Sequence, residues 1–249
     1  NIFLKQSETD LLFIDKNDIE IVLKAQSPNV KSKVRFVDID LANNIQTNLC
    51  GKHNQTNASF AIEVANLLQI SDKDIIKSLN SFTPLHHRLE NLGRYNGIEF
   101  INDSISTIPE AAIAALTSTD NVGTIILGGY DRGISYKKLA KHLSKQKNLN
   151  VIVTGKAGER ISQLIDEILQ KQQDSCQETD TKAKENNANV KVYHAKDMAE
   201  IVDIAYKVTP TGSKCILSPA ASSYDQYNNF EERGKHYEEL IKAYKKAKI

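Results

Sequence analysis

Three cysteines are all this chain carries (Cys50, Cys176 and Cys215), odd in number and far apart. Such scatter excludes a disulfide framework and the paired spacing of a zinc site, and it points to a reducing, cytoplasmic setting. Cys215 falls inside an apolar run, where a thiol is buried and inert. No apolar run approaches the roughly 18 residues that cross a bilayer, and no secretory leader is present, so no membrane partner is expected. A charge excess is missing too: 32 basic residues stand against 31 acidic ones, a formal net charge of +1. A balanced chain lacks the basic field that nucleic acid requires, and nucleic acid is not expected as a partner. No G-x-x-x-x-G-K-[ST] loop occurs, so the chain holds no P-loop to cradle phosphates. Methionine occurs once, at Met198, and the chain opens on Asn1-Ile2-Phe3-Leu4. That opening reads as a piece of a longer protein or a processed chain.

What is present is ordinary for a globular protein: 249 residues, 40% hydrophobic and 25% charged, enough for one large domain or two smaller ones. The first fifty residues read as short strands and turns. Asp10–Asp15 has a buried-strand pattern, Lys33–Asp38 alternates with period two, and the β-branched run Ile19–Leu23 reads as a further strand. From His53 the pattern turns helical through Ala58, Ile62, Ala65 and Leu68. Ser71 then stands as the N-cap of a second helix. Pro84 and the following His86-His87-Arg88 read as an inter-domain joint, which divides the chain into residues 1–84 and 85–249.

Beyond the joint, strands and helices alternate. The strands are Ile98–Ile101, Thr124–Leu127, Val151–Val153, Val190–Tyr193 and Cys215–Leu217. The helices are Pro109–Ser118, Ser135–Ser144, Ala157–Lys171, Asp197–Lys207 and Asn229–Ala247. This alternation implies an α/β fold, a Rossmann-like, mainly parallel sheet with helices on both faces. Residues 172–189 interrupt it. They are polar, with no apolar side chain larger than Ala or Cys, and are expected to form a mobile surface insertion.

Five segments can carry chemistry. Gly51–Asn57 opens a helix and places Asn54 and Asn57 three residues apart on one face. Their carboxamides suit a purine edge, or one caps the helix while the other meets solvent. At the joint, Arg88 suits a phosphate or a base, or is a solvated hinge cation, and two adjacent histidines make a poor metal chelate. Asn102–Thr107 follows a strand directly: Asp103 suits a ribose hydroxyl, and Thr107 either caps the next helix or faces a ligand. Leu127–Gly133 is a glycine turn after a strand, from which Arg132 can grip a carboxylate. Leu217–Gly234 leaves a buried strand through small and hydroxyl residues, then enters a helix. Such a segment is either a ligand loop, with Ser222 and Ser223 as donors, or an ordinary connection.

Taken in order, GKHNQTN, HHRLE, INDSIST, LGGYDRG and LSPAASSYDQYNNFEERG resemble the Mur ligase family, and within it the MurD type, which joins D-glutamate to UDP-N-acetylmuramoyl-L-alanine. The resemblance runs from about Gly51 to the C-terminus. It implies that residues 1–84 are the last part of the central α/β ATPase domain and that residues 85–249 are the Rossmann-like glutamate-binding domain. It also implies ATP and Mg2+, with the P-loop, the Mg2+ ligands and the UDP-sugar domain outside these residues, so that the 249 residues alone lack ligase activity. The implied setting is peptidoglycan synthesis by a cytoplasmic monomer. By position, Asn54 and Asn57 match adenine contacts, His87 and Arg88 nucleotide contacts, and Asp103 the ribose-side acid. Thr107, Arg132, Ser223, Tyr224 and Phe230 fall where the family binds glutamate, and no metal ligand lies in this stretch. The chain departs from the pattern in four places. Ile105 replaces a common lysine, Arg132 replaces another, Ile108-Pro109 stands for a frequent Asn-Pro, and Tyr224 stands where leucine is common. L-glutamate or another amino acid is therefore an alternative substrate, and a non-catalytic nucleotide- or partner-binding module an alternative role.

Overall fold

The computed structural model describes residues 3–45, 52–83, 85–177 and 189–246. They fall into two compact units, residues 1–84 and 85–249.

In the first unit, β1 (Leu11–Asp15) and β2 (Lys33–Val37) form a two-stranded parallel sheet. Between them lies α1 (Ile19–Ala25), a helix where the β-branched run predicts a strand. Asp18 decides this locally. Its carboxylate accepts from the Ile21 N–H, an N-cap that starts a helix. The spacing of Ile21, Val22 and Ala25 then packs one helical face against Leu12 and Ile14. α2 (Lys52–Leu67) and α3 (Asp72–Ser81) follow, and bury Ala58, Ile62 and Ile75 with Ala42. Ser71 caps α3 as expected, accepting from the Asp74 N–H.

The second unit is a six-stranded sheet, built of β3 (Glu90–Tyr95), β4 (Ile98–Asn102), β5 (Val122–Gly128), β6 (Leu149–Thr154), β7 (Val190–His194) and β8 (Lys214–Leu217). Their spatial order is β3-β4-β8-β5-β6-β7, parallel except for the β3–β4 hairpin. The helices are α4 (Pro109–Ser118), α5 (Lys137–Leu143), α6 (Gly155–Gln177), α7 (Met198–Val208) and α8 (Phe230–Lys246). Strand side chains alternate between two cores, because successive residues point to opposite faces. Ile125, Leu127, Val151 and Val153 pack with α4, α5 and α6, whereas Ile126, Ile152, Cys215 and Leu217 pack with α7 and α8. The sheet is therefore covered by helices on both faces. Cys215 is fully buried, and burial pushes its thiol up to about 12, as expected of an inert cysteine.

Most boundaries shift by a residue or two, and two departures are larger. α6 runs to Gln177, since no Gly or Pro interrupts residues 172–177. The polar stretch 172–189 therefore begins as helix, and its residues 178–188 lie outside the described residues. β3, which shows no alternating apolar pattern, pairs with β4 through a tight Asn96-Gly97 turn in which both residues have positive φ.

The strand order sets where a ligand can enter. The chain passes from β4 over β8 to β5, continues outward to β7, and returns to insert β8 between β4 and β5. The C-terminal ends of β4, β8 and β5 are thus adjacent at the reversal of strand order, where open α/β sheets leave a crevice.

Candidate functional site

Three loops leave the sheet at that crevice, residues 103–108 after β4, 129–136 after β5 and 218–229 after β8, and backbone bonds stitch them together. The Asp103 N–H donates to the Leu217 carbonyl at 2.8 Å, the Ala220 N–H to the Ser106 carbonyl at 2.9 Å, and the Tyr130 N–H to the Ser222 carbonyl at 2.9 Å. The glycines of the β5 loop make this closeness possible. Gly129 has φ +131°, and a Cβ on it would lie 2.4 Å from the Ser222 carbonyl oxygen. Any side chain there pushes the two loops apart.

The predicted site residues fall on these loops as follows. Asp103 is buried; its Oδ2 accepts from the Ser218 hydroxyl at 2.7 Å and its Oδ1 from the Leu89 N–H at 3.2 Å. Burial pushes its carboxyl up, opposed by those hydrogen bonds and by the charge of Arg88. Arg132 is exposed and reaches across to the β4 loop, where its Nη2 donates to the Thr107 carbonyl at 2.6 Å. Its neighbour Asp131 is taken up elsewhere: Arg160 Nη1 donates to both its carboxylate oxygens, at 2.5 and 2.7 Å, and holds that carboxyl below its usual range. Thr107 makes no capping bond. Ile108 occupies the N-cap of α4 without a side-chain bond, and Pro109 starts the helix, needing no donor. The capping alternative for Thr107 is thereby excluded.

Ser223 is 2% exposed, and its hydroxyl has no hydrogen-bond partner among the described residues. Its carbonyl accepts from the Gln226 and Tyr227 N–H groups, closing a tight turn through Tyr224 and Asp225. The neighbouring Ser222 hydroxyl is likewise buried without a partner. Tyr224, on the same turn, is 68% exposed. Phe230 opens α8, with its carbonyl accepting from the Ser104 hydroxyl at 2.8 Å and its ring edge-on to His87 at 6.3 Å. His87 reaches this place because α8 offers no side chain there: a Cβ on Gly234 would lie 2.3 Å from His87 Nδ1. Arg88 is exposed beside Asp103. Asn54 and Asn57 belong to residues 1–84, on α2, the first buried and the second exposed. That helix begins two residues before Asn54, so neither asparagine is its N-cap.

One residue escaped the sequence reading. Arg233, in the first turn of α8, is 4% exposed, and among the described residues no carboxylate forms an ion pair with it. Its Nε donates to the Ser104 hydroxyl, its Nη2 to the Ser104 carbonyl and its Nη1 to the Ala221 carbonyl, at 2.9, 2.8 and 3.1 Å. Burial lowers its pKa to about 10, which still leaves it charged at neutral pH. It pins the β4 and β8 loops to the same guanidinium. Its only sequence signal was a basic residue among acids at a helix start, where the macrodipole disfavours a cation unless acceptors surround it.

Arg132, Thr107 and Ser223 thus present a cation, a hydroxyl and a second, unpartnered hydroxyl around one crevice, a set suited to an anion bearing carboxylates. Among the described residues no group of three His, Cys, Asp or Glu side chains could hold a metal ion, and no helix is long and apolar enough to cross a membrane.

Known proteins resemble this chain in sequence and in fold. The family described as Mur ligase, glutamate ligase domain, matches residues 87–221. A UDP-N-acetylmuramoylalanine--D-glutamate ligase of Aquifex aeolicus (strain VF5) is 33% identical over 98% of this chain and 56% of its own length. The ligase of that name from Streptococcus pyogenes is 35% identical over 75% of this chain and 37% of its own length. The chain thus spans about half the length of the curated relatives it matches. Among solved structures, MurF from Acinetobacter baumannii has a TM-score of 0.62 at 14% identity, covering 92% of this chain and 51% of that one. MurF from Thermotoga maritima, in complex with ADP, has a TM-score of 0.60 at 14% identity, covering 98% and 56%. At such identities the structures testify to the fold alone, but the family match spans more than half of the chain and includes β4, β5 and β8, the loops after β4 and β5, and the start of the loop after β8. The chain belongs to the Mur ligase family, with the family's glutamate ligase domain at its core.

Proposed function

We propose that this protein, at its natural length, is an ATP-dependent ligase that joins glutamate to UDP-N-acetylmuramoyl-L-alanine in peptidoglycan precursor synthesis, and that residues 85–249 supply the glutamate pocket. The observation that carries this reading is the meeting of Arg132, Thr107 and Ser223 on three adjacent loops at the switch point of the sheet. The names of the relatives supply the substrate.

The chemistry makes the alanine carboxylate an acyl phosphate at the expense of ATP. The glutamate amine then attacks the acyl carbon, and phosphate leaves. Such a reaction depends on holding the amine in line and on offsetting negative charge. In this assignment Arg132 pairs with one glutamate carboxylate, while the Ser223 hydroxyl donates to the other. Thr107 and Phe230 line the pocket, and Tyr224 stands at its mouth. Asp103 receives a ribose hydroxyl, His87 and Arg88 lie along the nucleotide, and Asn54 and Asn57 meet the adenine edge. Mg2+ is assigned to ligands outside these residues.

The test is a phosphate-release assay of the protein at its natural length with ATP, UDP-N-acetylmuramoyl-L-alanine and either D- or L-glutamate. Turnover with D-glutamate is expected. Arg132→Ala is expected to raise the glutamate KM by about tenfold to a hundredfold, since a charged hydrogen bond contributes roughly 1.5–3 kcal/mol, with little change in the ATP KM. Equal effects on both substrates would remove Arg132 from the glutamate pocket.

A further inference from the structure

A small cavity of about 20 Å³ lies beneath the 218–229 loop, at the C-terminal ends of β5, β6 and β8, and Thr154, Asp225 and Arg233 are among the residues that line it. Each of these three has hydrogen-bonding capacity to spare. The Thr154 hydroxyl is buried and has no protein partner among the described residues. Arg233 uses Nε, Nη1 and Nη2 once each, which leaves N–H donors of its guanidinium unspent. Asp225 is exposed, and its side chain has no side-chain hydrogen-bond partner among the described residues. Its carboxylate meets its own N–H and that of Gln226, and the charge of Arg233 reaches it. Asp225 also stands at the positive end of α6: a Cβ on Gly155, the first residue of that helix, would lie 2.6 Å from Asp225 Oδ2.

A cavity of this volume accommodates one water molecule, and a buried water is held where two to four polar groups converge. Donors on two sides and, on the third, a carboxylate that still has acceptor capacity meet that requirement. We propose that a single water molecule bridges the Thr154 hydroxyl, the Arg233 guanidinium and the Asp225 carboxylate, and that Asp225 acts through it as the positioning residue for Ser223. The link from Asp225 to Ser223 is short. Both lie in the turn that the Ser223 carbonyl closes with the Gln226 and Tyr227 N–H groups, so anchoring Asp225 to β6 and α8 fixes where the Ser223 hydroxyl points. The water bridge stands on the cavity alone, while the positioning role rests on the glutamate pocket proposed above.

Two measurements test the two parts. A crystal structure of the 249-residue chain is expected to show an ordered water within hydrogen-bond distance of Thr154 Oγ1 and Arg233. A dry cavity, or an Asp225 side chain turned away from it, overturns the bridge. In the ligase assay at natural length, Asp225→Asn keeps the size of the side chain and removes its charge. It is expected to raise the glutamate KM about fivefold, the scale of one weakened hydrogen bond, with the ATP KM unchanged. Thr154→Val, which removes another contact to the same water, is expected to shift the same constant in the same direction. Ser223→Ala serves as the control on the pocket. If it raises the glutamate KM and Asp225→Asn does not, the positioning role falls and the pocket stands. If neither does, the pocket falls and takes the positioning role with it. A loss of kcat with both KM values unchanged would mark Asp225 as part of the scaffold only, and would also overturn the proposal.

Discussion

In residues 1–84, large apolar side chains are exposed on nearly every element, among them Leu23 on α1, Phe36 on β2, Val64 on α2 and Ile76 on α3, with Leu68, Ile70 and Phe82 between and after the helices. In residues 85–249, twice the length, the exposed ones among the described residues are Leu85, Ile108, Tyr130 and Tyr224. The last three sit one on each of the loops that frame the crevice. Exposure in the second unit is therefore local and coincides with the candidate site, whereas in the first it is general. The difference follows from architecture. A six-stranded sheet with helices on both faces buries two large cores, but a two-stranded parallel sheet with three helices buries only two small clusters, and fewer than three strands are marginal in water.

The largest effect expected from this comparison comes from cutting the chain. Residues 85–249 expressed alone are expected to unfold cooperatively in denaturant, and residues 1–84 alone to show no protected amides by hydrogen exchange. A cooperative transition in the short piece would break the comparison outright. Next in size is Arg233→Leu. It leaves the Ser104 and Ala221 carbonyls buried without donors, and is expected to lower stability by roughly 3–5 kcal/mol, read from the denaturant midpoint. A loss below about 1 kcal/mol, typical of an exposed pair, would mean that the guanidinium is not the tie between the two loops. The smallest effect sharpens the account of the second core. Tyr136 is fully buried there, its hydroxyl has no partner among the described residues, and burial pushes its pKa up. Removing an unpaired buried hydroxyl removes a desolvation cost, so Tyr136→Phe is expected to raise stability by about 1 kcal/mol. A loss instead would show that the hydroxyl has found a partner.

Legibility in the sequence followed burial. The central strands were readable because both faces of a parallel sheet are covered, so Ile125–Leu127, Val151–Val153 and Cys215–Leu217 are near-continuous apolar runs. α4 was readable to the residue because Pro109 marks its start. At the edges the signal thinned. β3 is half solvated and mixed in composition, although Asn96-Gly97 was a hairpin signal in plain view. α1 was misread because Ile19–Leu23 is apolar enough for either period, and the deciding residue, Asp18, lay just outside the run. In the site, the loops and most of their polar residues were visible as departures from apolar strands. Arg233 was not, since within Phe230–Gly234 nothing in the composition tells which charged side chain turns inward.

The alternation of strands and helices, the two-sided burial of the sheet and the placing of donors and acceptors on particular loops are all written in the residue order. These follow from local spacing and from the cost of leaving apolar side chains in water. Only the tertiary structure decided that β8 inserts between β4 and β5, because strand order is a long-range choice that no local window contains. That insertion brings Thr107, Arg132 and Ser223 to one crevice. It also lets a buried guanidinium find acceptors on Ser104, far back in the chain, as well as on nearby Ala221, so that one cation holds two loops in register.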